Sequence, residues 1–76
     1  MNTRAAIETM MKGSRYNGSQ LSSAMGKHRN FLSTTFTKGS IPRVDTLAHM
    51  AQVMGYELVL KGHGEEIVID PPEDEK

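Results

Sequence analysis

Residues 19–54 read SQLSSAMGKHRNFLSTTFTKGSIPRVDTLAHMAQVM, and the punctuation of this stretch decides the fold. Ser19 can accept the first free amides of a helix over 20–25. Gly26 ends that helix, because glycine enters the left-handed conformation at little cost. The next helix, about 29–37, carries Leu32 and Phe36 one turn apart, with His28 as its candidate N-cap. Residues 38–42, KGSIP, form a turn, since proline suits the entry to a helix and not its interior. The helix over about 43–54 has the clearest periodicity. Val44, Leu47, Ala48, Ala51 and Met54 trace one apolar stripe, and Gly55 follows as its C-terminal cap.

Upstream, Ile7, Met10 and Met11 fall at helical spacing, so residues 3–11 read as a helix capped by Asn2 or Thr3. Residues 12–18, KGSRYNG, read as a loop. Downstream the period changes. Residues 56–60, YELVL, and 65–69, EEIVI, read as strands joined by a turn over 61–64, KGHG. An isolated two-stranded hairpin is marginal in water. Its apolar residues, Tyr56, Leu58, Val59, Leu60, Ile67, Val68 and Ile69, are too many for one covered face. Tyr56, Leu58, Leu60, Ile67 and Ile69 are therefore the expected contacts to a second subunit. Whether the hairpin closes within one chain or exchanges strands between two stays open at this point. Residues 70–76, DPPEDEK, read as a disordered acidic tail.

The 76 residues suffice for one small domain. A chain near this size buries only about 60% of the surface it exposes when unfolded, so a partner subunit would add useful apolar burial. The absence of cysteine removes disulfides, thiol catalysis and thiolate metal sites, and it suits a reducing cytoplasm. No apolar run approaches the roughly 20 residues that span a bilayer, and the polar N-terminus gives no expectation of a signal peptide.

The net charge of zero hides a segregation. Residues 1–55 hold seven cations against two anions, and residues 56–76 hold two against seven. Such a division suggests a basic module for a polyanion and an acidic part that faces elsewhere.

Residues 20–54 resemble the phage-repressor and Cro family of helix-turn-helix proteins. Leu21, Ser22, Met25 and Gly26 match the first motif helix and its turn. Arg29, Phe31, Leu32 and Ser33 match the second helix. Pro42, Val44, Asp45, Thr46 and Leu47 match the proline and fourth helix that follow, and Ala51, Met54 and Gly55 match that helix's end. Three positions depart from the pattern. Lys27 stands at a usual apolar turn position, Thr35 at a usual isoleucine or valine, and Phe36 at a frequent glutamate.

The resemblance implies a mainly α fold, a lambda-repressor-like four-helix domain over 1–55 with a C-terminal β-hairpin over 56–69. It implies a DNA-binding transcriptional regulator, a dimeric repressor or autoregulator of a phage or mobile-element operon, whose partners are double-stranded DNA and a second copy of the chain. In this motif the N-terminal part of the second helix enters the major groove. That assigns base reading to His28, Arg29, Asn30, Ser33 and Thr34, with Arg29 suited to guanine and Asn30 to adenine. Phosphate contacts fall to Ser19, Gln20, Lys27, Lys38 and Arg43.

No cofactor, metal or catalytic group is expected. His28, His49 and His63 share no metal-ligand spacing, and the glycine-rich 61–64 lacks that of a phosphate loop. The alternative reading is an antitoxin or other interaction module, which would hold a toxin or host factor through the acidic hairpin and tail.

Overall fold

The computed structural model describes residues 1–71. It contains four helices followed by one antiparallel hairpin: α1 (Thr3–Ser14), α2 (Gly18–Ala24), α3 (Phe31–Thr37), α4 (Val44–Val53), β1 (Leu58–Gly62) and β2 (Glu65–Ile69). The element order is the expected one, and several boundaries differ for identifiable reasons.

α1 is capped by Asn2, whose side chain accepts from the Ala5 amide at 2.8 Å. It runs past the expected end at Met11 and through Gly13. The Tyr56 hydroxyl lies where a β-carbon on Gly13 would stand, so this glycine admits a close contact from outside the helix. The chain then leaves α1 through Arg15 in the left-handed region, at φ 68°, with its amide bonded to the Met11 carbonyl.

α2 is capped by Asn17 and not by Ser19. The Asn17 side chain accepts from the Gln20 amide at 2.7 Å, and the Gln20 side chain accepts from the Asn17 amide at 3.0 Å. This reciprocal pair satisfies two backbone donors at once and sets the helix start two residues earlier than Ser19 would.

α3 begins at Phe31, later than the expected Arg29, because residues 28–30 form a separate turn. Its candidate cap, His28, serves that turn instead: Nδ1 accepts from the Asn30 amide and the carbonyl accepts from Phe31. Arg29 and Asn30 therefore precede the helix.

α4 begins after Arg43, and its buried face keeps most of the expected stripe, gaining Met50 and losing Val44. Met50 is fully buried, together with Ala48, Ala51 and Met54, while Val44 is 58% exposed. Val44 is the first residue of the helix.

The core joins Ile7 of α1, Leu21 and Met25 of α2 and its end, Leu32 of α3, and Met50 and Met54 of α4 and its end. Met10, Met11, Tyr16, Phe31, Phe36, Leu47 and Val53 pack around it. Ser22 is the one buried polar residue among those described. Its hydroxyl donates to the Gly18 carbonyl at 2.8 Å and accepts from the Leu32 amide at 3.2 Å. No side chain of its own N-cap holds α3, so the neighbouring helix supplies a partner for one of its first free amides.

In the hairpin, Leu58 pairs with Ile69, Val59 with Val68, Leu60 with Ile67, Lys61 with Glu66, and Gly62 with Glu65. The turn is only His63–Gly64, both left-handed at φ 50° and 76°. This matches the type I′ geometry whose twist suits a two-residue hairpin, which is why Lys61 and Gly62 lie in the strand and not in the expected four-residue turn. Tyr56 and Glu57 precede β1. No hairpin residue is buried.

Asp70 and Pro71 line a notch against Ala48 and Gln52 of α4. The rest of the expected acidic tail, residues 72–76, lies outside the described residues. No described helix is long and apolar enough to cross a membrane.

Candidate nucleic-acid interface

α2 and α3 are joined by residues 25–30, and Ser22 fixes how closely they approach. A residue larger than serine would separate them, and one without a hydroxyl would strand the Leu32 amide. Leu32, 3% exposed, anchors α3 from one side. Thr35 adds a half-buried contact, and its hydroxyl donates to the Phe31 carbonyl at 2.9 Å. The Thr35 hydroxyl thus leaves no unmet hydrogen bond in this half-buried place. Phe36 packs on the core edge, and the Arg4 guanidinium covers its ring at 4.6 Å from the centroid. This contact ties α1 to α3 across the edge, and Glu8, one turn along α1, pairs with Arg4 at 3.2 Å.

With these residues turned inward, the other side of α3 is free. Asn30, Ser33, Thr34 and Thr37 are all exposed, and their spacing of three and four places them along one stripe. Ser33 keeps part of its hydrogen bonding local, donating to the Asn30 carbonyl at 3.2 Å. Thr37 was absent from the sequence-based assignment, although its offset from Asn30, Ser33 and Thr34 follows the same periodicity.

His28 and Arg29 are exposed in the turn that leads into the stripe. Lys27, His28, Asn30, Thr34 and Lys38 line one shallow groove, floored by Phe31 and Thr35. Arg29 and Ser33 do not line it. Phe31 is half-buried, and Lys27 stands over its ring at 5.5 Å. The Lys27 ammonium therefore stays in solvent and sits over an aromatic face.

Ser19 and Gln20 are exposed on α2. The capping pair occupies the Gln20 side-chain oxygen and leaves its amide nitrogen free to donate. Lys38 closes α3, and Arg43 pairs with Asp45 at 3.1 Å. With 84% exposure at Arg43, this pair is weak and exchangeable. Lys27, Arg29 and Lys38 form no ion pair among the described residues.

Between Glu8 and Asp45 the chain holds Lys12, Arg15, Lys27, Arg29, Lys38 and Arg43 and no carboxylate. The segment that carries α2 and α3 is thus uniformly attractive to an anion. Among the described residues no group of three or more histidines and carboxylates converges to hold a metal. Compared with family models, curated proteins and solved structures, the chain matches none.

Proposed function

We propose that this chain is a non-enzymatic, sequence-specific DNA-binding regulator of the lambda-repressor-like kind, with α2 and α3 as its helix-turn-helix. The observation that carries the reading is the outward stripe of α3, polar and hydrogen-bond-capable, set on a segment with six cations and no carboxylate. A B-DNA major groove is about 12 Å wide and admits one helix. Arg29 and Asn30, at the leading end of α3, reach guanine and adenine edges, and His28, Ser33, Thr34 and Thr37 follow along the groove. Lys27, Lys38 and Arg43, with Ser19 and Gln20 on α2, grip the phosphates on either side. Such side chains supply most of the affinity and make it depend on salt.

The chain acts as a homodimer, which brings two copies of α3 to successive major grooves about 34 Å apart on a palindromic site. It represses or autoregulates a phage or mobile-element operon in the cytoplasm by occluding a promoter.

The test is an anisotropy titration against the DNA upstream of its own gene and against random DNA, at two salt concentrations. Tight binding to the upstream sequence that weakens steeply with salt is expected. Equal, weak binding to both would overturn the reading. It would favour a protein partner, such as a toxin or host factor, for the exposed apolar residues of the hairpin, Leu60, Ile67 and Val68.

A further inference from the structure

The hairpin is the least satisfied part of the molecule. Leu60 and Ile67 are each 54% exposed and Val68 46%, and although β1 touches α4, no residue of the two strands is buried, so the hairpin lacks much of the cover that a third strand or a fully packed helix gives a sheet in water. Both outer edges also carry unpaired backbone groups, which invite a further strand. The occupant follows from which groups point outward and which charges flank them.

The two-residue turn makes Gly62 and Glu65 the hydrogen-bonded pair that closes the hairpin, so Leu60 and Leu58 likewise direct their amides and carbonyls at β2. Val59 and Lys61 direct theirs to the free edge, and no backbone hydrogen bond from outside the sheet reaches them. On β2 the outward residues are Glu66 and Val68.

An edge that pairs with a second copy of itself across a two-fold axis meets its own sequence reversed. For β1, centring the axis on Val59 sets Val59 opposite Val59, Leu58 opposite Leu60, and Glu57 opposite Lys61, twice. Every charged residue then faces its opposite. The same operation on β2, centred on Val68, sets Glu66 opposite Asp70, acid against acid, on a strand that also holds Glu65.

We propose that the chain dimerises through the outer edge of β1, antiparallel and centred on Val59, to form a four-stranded sheet in the order β2-β1-β1-β2. This deepens the dimeric reading given above and rests on it, but it does not require DNA binding. Leu58, Leu60, Ile67 and Ile69 of each copy then share one face of the new sheet. Lys61, already 3.8 Å from Glu66 of its own chain, is flanked by Glu57 of the other.

The test is sedimentation equilibrium without DNA. The wild-type chain dimerises. Glu57→Lys and Lys61→Glu each weaken the homodimer on the order of tenfold, because like charges opposite one another destabilise a ladder. An equimolar mixture of the two variants regains the wild-type affinity, since each lysine then faces a glutamate, a recovery that misfolded variants would not give. Val59→Pro removes an amide aimed at the partner and dissociates the dimer, whereas Val68→Pro, on the opposite edge, leaves it intact. A monomeric wild-type chain would overturn both the pairing and the dimeric reading. A dimer indifferent to the β1 variants, or broken by Val68→Pro alone, would overturn the pairing and leave the dimer standing.

Discussion

The four helices and the hairpin hold comparable apolar side chains in opposite circumstances. In the helical part, Ile7, Leu21 and Met50 have no exposed surface, and the single buried polar residue, Ser22, has its hydrogen bonds met. In the hairpin every residue keeps contact with solvent, and Leu60, Ile67 and Val68 keep about half their surface in it. The helices therefore form a finished core beneath an exposed polar stripe on α3. The hairpin is regular in its backbone and incomplete in its packing. Elements equally regular in their backbone can thus differ widely in how far their side chains are packed, and the hairpin is the one left with apolar surface to cover.

Five substitutions probe that contrast. Leu32→Ala empties the site that anchors α3 and should cost about 2–5 kcal/mol in a urea titration; a loss below 1 kcal/mol would mean that the core is not the finished body described. Ser22→Ala leaves the Leu32 amide without its partner, at an expected cost of about 1–3 kcal/mol. Its amide should also exchange hydrogen faster, and unchanged protection there would remove the link between α2 and α3. Asn17→Ala loses the cap of α2, for about 1 kcal/mol by thermal melting, whereas Ser19→Ala should change little. The reverse ranking would restore Ser19 as the cap. Leu60→Ser should leave unfolding of the dilute, monomeric chain within about 0.5 kcal/mol. A large destabilisation there would show that the hairpin belongs to the monomer's own core.

The order and type of all six elements were legible in the residues, because Gly26, Gly55 and Pro42 punctuate the chain and the apolar period changes after residue 55. What escaped was settled by contacts between distant residues. Gly13 stays helical with Tyr56, far along the chain, packed over it. Asn17 outcompetes Ser19 because only Asn17 has a glutamine three positions on to reciprocate. Val44 obeys the helical period and still faces solvent, since periodicity marks a face and does not tell which of its residues a neighbour covers.

Every residue assigned to base reading or phosphate contact is exposed, and the structure groups five of them around one groove. Arg29 and Asn30 move from helix to turn, because His28 holds the Asn30 amide. Thr37 extends the exposed α3 stripe one turn further than the sequence reading carried it.

The most direct test of the account compares Arg29→Ala and Lys38→Ala on the upstream DNA and on random DNA over a range of salt. If the leading end of α3 reads bases and the flanking cations hold phosphates, Arg29→Ala costs about 1–3 kcal/mol on the specific site alone. Lys38→Ala then weakens binding to both DNAs alike and lowers the salt slope by about 1. Equal losses for the two variants on both DNAs, or none for either, would contradict the assignment of this surface.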